Sequence, residues 1–344
     1  MNSQVIKFVA GAGKTTYSEE YLKNNKNGIY LAFNNSVVNE LKEKGYLCKT
    51  IDSLFFNYII PKFTSVIPLI ANGATINYIN SDNVKSFQKG TANIKIEKDG
   101  SIYNQSKKTI IDLNTKNEDL HAMGDFANSF FIKSIFSKDS LNINDQQRAE
   151  LSYYIIEKYS SEIVEFLNSR FSYIIVDEAQ DLKGYREEFA KLIYKSNIKL
   201  ILLGDDNQNI NGGGKWFEEL EADETNTITH RCTEKVCEWI RNNLKIEIYG
   251  NSNEGEYKSI KFSEVLKYDD GKRVLLYSAN TGKNKEIIEN WKGKKETIKK
   301  VKGSTIENDV VIIGASLNKK NLYTAITRTK KNAYSSVSKI NWRL

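Results

Sequence analysis

The stretch Val9-Ala10-Gly11-Ala12-Gly13-Lys14-Thr15-Thr16 constrains the fold of this chain more than any other. It follows an apolar run, Val5 to Val9, that reads as a buried strand, and it opens a helical pattern from about Thr15 to Lys23. Strand, glycine turn and helix N-terminus together aim backbone N–H groups and partial positive charge at one point, which suits a phosphate group. In such a loop the residues from Ala10 to Thr16 cradle the phosphates. Lys14 reaches the β and γ oxygens, and Thr15 offers its hydroxyl to Mg²⁺. The G-x-x-x-x-G-K-T pattern has glycine where this chain has Phe8. The plainer reading is a glycine turn followed by Lys-Thr with no ligand.

The rhythm around the loop is that of a parallel sheet. Gly28 to Phe33 reads as the next strand and Ser36 to Lys44 as the next helix. A strand at Tyr173 to Val176, a helix at Tyr185 to Tyr194 and a strand at Lys199 to Leu203 follow later. Short apolar runs alternating with amphipathic helices imply strands buried on both faces. A second β/α stretch begins near Thr225, with helices at Thr233 to Asn243 and Leu322 to Thr327 and strands at Val274 to Tyr277 and Val310 to Ile313. Between about Asn57 and Glu150 the rhythm breaks. Ala92 to Ile96, Lys98-Asp99-Gly100 and Ser101 to Tyr103 read as a β-hairpin with an Asp-Gly turn, and Asp145 to Asn168 as helix. The expected organisation is α/β. Residues 1–56 and 151–224 form one domain, 57–150 an α+β insertion in it, and 225–344 a second domain.

Composition excludes several classes. With 344 residues, 40% apolar and 27% charged, the chain is neither a small stapled module nor a disordered one. Three cysteines and two histidines, without a Cys-x-x-Cys pair, argue against a disulfide framework or a structural zinc. No apolar run is long enough to span a bilayer and no secretory signal is visible, so a reducing, cytoplasmic setting without membrane contact is expected. The formal net charge of +7 permits a polyanionic partner.

Tyr173-Ile174-Ile175-Val176-Asp177-Glu178-Ala179-Gln180-Asp181 is an apolar strand ending in carboxylates. Ligands of open α/β sheets bind at the carboxyl ends of strands. There Asp177 would hold Mg²⁺ and Glu178 would orient or deprotonate an attacking water. An ordinary helix N-cap is the alternative.

The phosphate loop with Asp-Glu-Ala-Gln-Asp resembles the UvrD/Rep-like branch of the superfamily 1 helicases, in a compact, phage- or virus-like form. Other segments are similar to the family's motifs, in the family's order. Leu31-Ala32-Phe33-Asn34-Asn35 resembles the segment that touches single-stranded DNA. Thr50-Ile51-Asp52-Ser53-Leu54 resembles Thr-x-His-Ser-Phe, with Asp52 where His is usual. Gly204 to Ile210 resembles the third motif, which implies that Gln208 senses the γ-phosphate. Thr229-His230-Arg231 resembles Asn-Tyr-Arg, which implies Arg231 at the γ-phosphate and His230 in the place of an aromatic that stacks on the nucleotide base. Val301-Lys302-Gly303-Ser304-Thr305 resembles the fifth motif, with Gly303 near the nucleotide and Thr305 towards the track. Leu322 to Arg328 resembles the last, whose arginine is the arginine finger.

The resemblance implies two RecA-like motor domains that use ATP and Mg²⁺. Their track would be single-stranded nucleic acid, DNA in preference to RNA. Catalysis would fall to Lys14, Asp177, Glu178, Gln208, Arg231 and Arg328. Phe33, Asn34, Thr50, Trp216 and Thr305 would meet the track, although Phe33, and still more Trp216, can be read as ordinary core aromatics. The lysines from Lys283 to Lys302 either contact phosphates or form a solvated face. An alternative is a nucleic-acid-stimulated ATPase switch without unwinding of its own, or a subunit with a protein partner in replication, repair or defence.

Overall fold

The computed structural model describes residues 3–33, 35–63, 152–153, 155–250 and 254–342, together with short strands between 75 and 143. By their contacts the residues group into two units. The first comprises 1–48, 171–183 and 198–344, and the second comprises 49–170 and 184–197.

The first unit carries two parallel sheets. Along the chain come β1 (Gln4–Phe8), α1 (Lys14–Asn24), β2 (Gly28–Ala32), α2 (Asn35–Glu43) and β3 (Cys48–Thr50). After α3 (Ser160–Asn168) in the second unit come β4 (Tyr173–Val176), α4 (Tyr185–Tyr194, also in the second unit), β5 (Lys199–Gly204) and β6 (Glu224–Asn226). The six strands line up as β6-β1-β5-β4-β2-β3. Their registers are parallel, with Ile6 opposite Leu203, Ile175 opposite Ile201 and Ile6 opposite Glu224.

The remainder runs α5 (Glu234–Leu244), β7 (Tyr257–Ser259), β8 (Val274–Tyr277), α6 (Lys283–Asn290), β9 (Lys295–Thr297), α7 (Ile298–Val301), β10 (Val310–Ile313), α8 (Lys319–Ile326) and β11 (Ala333–Ser335). Its five strands order as β7-β11-β10-β8-β9, all parallel. The α/β class with two parallel sheets, of RecA-like kind, is therefore present.

Strand periodicity explains how the sheets are covered, because successive side chains point to opposite faces. Val274 and Leu276 on β8, with Val310 and Ile312 on β10, join a large apolar cluster that also holds Ile6, Phe8, Ile175, Ile201 and Leu203 of the first sheet. The alternate residues Leu275, Val311 and Ile313 face the other way and pack with Ile287, Ile288 and Trp291. Sandwiching of this kind is what near-continuous apolar strands require.

In the second unit Phe55 packs edge-on against Phe189 of α4, their centroids 4.8 Å apart. Asp52, at the position of the family's histidine, accepts from Arg186 Nε at 2.6 Å and Nη2 at 2.8 Å, and from the Tyr185 hydroxyl. The two-pronged fit suits a planar guanidinium. The expected hairpin is present as Ala92–Ile96 paired antiparallel with Ile102–Asn104; its Asp-Gly turn lies outside the described residues. Of the helix expected over 145–168, the last part forms α3 and the chain breaks helical geometry at Tyr159. Among the described residues no helix is long and apolar enough to cross a membrane.

Candidate functional site

The site begins where β1 ends. Gly11 and Gly13 both adopt positive φ, +75° and +89°, a region that costs other residues steric strain. They differ in surroundings. A Cβ on Gly11 would lie 2.6 Å from Thr229 Oγ1 and 2.7 Å from Arg231 Cβ, whereas one on Gly13 would meet nothing within 4 Å. Gly13 thus serves the turn into α1, and Gly11 also admits the 229–231 segment, whose His230 N–H donates to the Gly11 carbonyl at 2.9 Å. Phe8 is compatible with the loop because its side chain lies in the core, edge-on to Tyr17. Only its carbonyl takes part in the loop, accepting from Lys14 Nζ at 3.2 Å.

Beside the loop, β4 ends at Asp177 and Glu178. Asp177 is buried and accepts from the Tyr30 hydroxyl and, through Oδ1, from the Glu178 N–H at 2.8 Å. Burial, reinforced by the Glu178 charge, pushes its carboxyl up to about 6 against the opposing pull of Tyr30 and Lys14. Glu178 sits at φ +52°, a strained value for a residue with a side chain. Burial disfavours its charge too, yet Lys302, Lys14 and a hydrogen bond from Gln180 outweigh that and hold it below the ordinary carboxylate range.

The cations come mostly from the second half of the chain. Arg328, one residue beyond the end of α8 and its C-cap, is 1% exposed and donates to Gln208 Oε1 at 2.9 Å and to the Thr324 carbonyl at 3.1 Å. Burial and the neighbouring Arg231 depress it to about 10, so it remains charged at neutral pH. Arg231 donates to the Thr327 carbonyl at 3.1 Å. Lys302 is buried against Asp181, at 2.6 and 2.7 Å from its two oxygens, and donates to the Gln208 carbonyl at 2.6 Å. It is the exception to the solvated-face reading of its charge run.

Several of these groups line one cavity of about 430 Å³, and Lys302, Asp181, Tyr30 and Gln180 stand behind its lining. Gly11, Gly13, Lys14, Thr15 and Thr16 of the loop border it, with Asp177, Glu178 and Gln208. So do His230, Arg231, Gly303, Thr305 and Arg328. Phe33 is on its wall as well, half-buried, beside Ala32 and Val37. The remaining sequence-derived candidates lie elsewhere. Ala10 and Ala12 are buried in the core beneath the loop, and the Ala10 N–H donates to Tyr323. Thr50 caps a helical turn by accepting from the Ser53 N–H at 3.0 Å. Trp216 opens a short helix away from the cavity lining, and Asn34 is outside the described residues.

Chemically the lining suits a polyphosphate with a divalent cation. A hydroxyl on Thr15 and a buried, electrically frustrated carboxylate on Asp177 are the hard oxygen donors that Mg²⁺ takes alongside phosphate and water. Residues to which sequence reasoning gave no role complete the setting: Tyr30, Gln180, Asp205, Tyr323 and Lys330.

A phosphate loop and an acidic strand end on one parallel sheet, met by arginines from the second half of the chain, place the chain among the P-loop nucleotide-binding proteins with paired sheets. More narrowly, it belongs to the superfamily 1 helicases. The family model for the UvrD/REP helicase N-terminal domain matches residues 9–212, and that for the viral superfamily 1 RNA helicase core domain matches residues 129–334. Solved structures similar to it include the helicase of the arterivirus PRRSV, with 12% identity and a TM-score of 0.47 over 97% of this chain and 52% of that one. Arterivirus nonstructural protein 10 (helicase) gives 12% and 0.47 over 97% and 59%, and its complex with DNA 12% and 0.47 over 98% and 61%. The chain thus spans between half and two thirds of the length of these structures. No curated protein sequence matches it.

Proposed function

We propose that this chain hydrolyses ATP in the cavity and uses the cycle to move along single-stranded nucleic acid, with DNA as the favoured track. The observation that supports the reading most is the convergence of Lys14, Thr15, Asp177, Glu178, Gln208, Arg231 and Arg328 on one cavity. Lys14 and the loop amides hold the β- and γ-phosphates. Thr15 and Asp177 would hold Mg²⁺, which when bound would neutralise charge on the phosphate oxygens. Glu178, kept ionised by the surrounding cations, orients the attacking water and takes its proton as the β–γ bridge breaks. Arg231 and Arg328 meet the charge that develops, and Gln208 reports the presence of the γ-phosphate.

In this reading residues 1–56 and 151–224 act as one motor domain, 225–344 as the other, and 57–150 as an insertion. Nucleotide turnover alters their engagement, and polymer gripped by phosphate contacts and stacking is stepped along. Phe33, Asn34, Thr50, Trp216 and Thr305 are the candidate contacts. For Phe33, its place on the cavity wall sets nucleotide and track roles against each other. Phe33→Ala decides between them by raising KM for ATP or for the polymer.

The test is steady-state ATP hydrolysis with and without single-stranded DNA and RNA, with Lys14→Ala and Glu178→Gln as controls. Stimulation by DNA that both substitutions abolish is the expected result, and stimulation by RNA alone reassigns the track. Hydrolysis with no strand separation selects the ATPase-switch alternative. No hydrolysis under any condition rejects the reading.

A further inference from the structure

A single line of hydrogen bonds runs from the phosphate loop to the buried arginine. The Ala10 N–H donates to Tyr323 Oη at 3.1 Å. The Tyr323 hydroxyl donates to Asp205 Oδ2 at 3.0 Å. Gln208 Nε2 donates to that same oxygen at 2.7 Å. Gln208 Oε1 in turn accepts from Arg328 Nη2 at 2.9 Å. None of these residues is more than 3% exposed, so water does not compete for the groups.

The chemistry of each group fixes the direction of the line. A backbone N–H only donates, so Tyr323 accepts there and its one proton goes to Asp205. An ionised carboxylate only accepts, so the Gln208 amide turns its NH₂ towards Asp205 and presents its oxygen to Arg328. Gln208 is thus oriented between Asp205 and Arg328, and Tyr323, which does not border the cavity, shares the Asp205 oxygen that Gln208 uses; the guanidinium is held as well by the Thr324 and Ser304 carbonyls and the Thr327 hydroxyl. Ala10 does not border it either, so its N–H is free of any duty to phosphate. The loop end of the line comes from the first sheet, and the tyrosine and arginine come from α8 and the residues after it.

We propose that Tyr323 is a positioning residue that couples the phosphate loop to Arg328, so that seating of a γ-phosphate on the loop and placement of the arginine are one event. The proposal rests on the reading of the cavity as an ATP site. Low-dielectric surroundings strengthen such a line and make its members act as a unit.

Tyr323→Phe keeps the ring in the core and deletes only the hydroxyl. Two readouts follow on the full chain. One is the split of hydrolysis into kcat and KM. The other is the ratio of affinities for ADP with beryllium fluoride and Mg²⁺ against ADP with Mg²⁺, which needs no turnover. The variant is expected to lose about tenfold or more in kcat with KM for ATP little changed, and to lose the same factor in the affinity ratio. Asp205→Asn, which removes the charge that orients Gln208, should reproduce both effects. The double variant should be no worse than either single one, as members of one route are non-additive. A tyrosine that only packs would lower the melting temperature and leave the ratio intact. An unaltered ratio in Tyr323→Phe overturns the coupling, whether or not the wild type hydrolyses ATP. Absence of wild-type hydrolysis with a ratio that Tyr323→Phe abolishes rejects the ATPase reading and keeps the coupling. Failure of the wild type to bind either nucleotide form overturns both.

Discussion

The six-stranded sheet and the five-stranded sheet serve the same cavity with opposite chemistry. The first supplies backbone amides, one lysine and the carboxylates Asp177 and Glu178. The arginines and Lys302 come from the segment leading into the second sheet and from the turns around its helices. Burial alone would neutralise each half, and it pushes Asp177 up to about 6 and Arg328 down to about 10. What resists is opposite charge, most clearly at Glu178, which Lys302 and Arg328 of the second half and Lys14 of its own half hold ionised. The lesson is that neither sheet carries a finished site. Each presents buried charge that the other helps to compensate, as Lys302 and Arg328 do for Glu178.

The sharpest way to break this comparison is to remove a cation from the second half. If Arg328 acts as the arginine finger proposed above, Arg328→Ala should lower kcat by about 10³-fold or more while the loop still binds nucleotide. A loss under tenfold in single-turnover hydrolysis would leave the second half without a catalytic share.

Next in size is Lys302→Met. It strands Asp181 as an unpaired buried charge, since the pair's side chains are only 7% and 8% exposed. Loss of one partner of such a pair costs about 3–5 kcal/mol, readable as a fall in urea midpoint. A shift close to zero would mean that Asp181 is held well enough by Asn211 alone.

The two loop glycines sharpen the comparison further. Gly13→Ala meets only the positive φ and should cost about 1–2 kcal/mol. Gly11→Ala meets the same backbone cost and also collides with Thr229 and Arg231, so it should cost more and displace Arg231. Equal melting shifts for the two variants would show that the 229–231 segment yields freely.

The smallest effect concerns pH. Burial pushes the Cys48 thiol, at the edge of the first sheet, up to about 11 from an ordinary value near 9. The folded chain then holds a proton that the unfolded chain releases. Its contribution is fully present below about pH 9 and is lost as pH rises towards 11. Urea titrations at pH 8.5 and 10.5 should show a smaller loss for Cys48→Ala than for the wild type, by about 1 kcal/mol.

Much of the frame is legible along the chain. β4, α4, β8 and β10 fall at the expected residues, because short apolar runs between turn residues can bury only as central strands or core-facing helices. Most of the cavity lining is legible too, since glycines, Lys-Thr and strand-end carboxylates are local patterns. What is not legible is long-range polar pairing. Tyr323 and Asp205 are 118 residues apart, and Lys302 and Asp181 are 121 apart. No local period announces such partners, and Lys302 stands in a run of lysines that are otherwise exposed. β6 is missed for a different reason. Its residues are exposed or half-exposed at a sheet edge, so pairing with β1 leaves no apolar signature. Asp52 shows the reverse. It departs from the family's usual histidine, and its role as the acceptor for Arg186 and Tyr185 becomes visible only once α4 is in place.

The measurement that bears most directly on the shared site is a crystal structure with Mg²⁺, ADP and aluminium fluoride. The expected result is a fluoride group contacted at once by Lys14 from the first sheet and by Arg231 or Arg328 from the second half, with Thr15 and Asp177 around the metal. A fluoride held by the loop alone, with both arginines turned away to protein partners, would contradict a site built from two compensating halves.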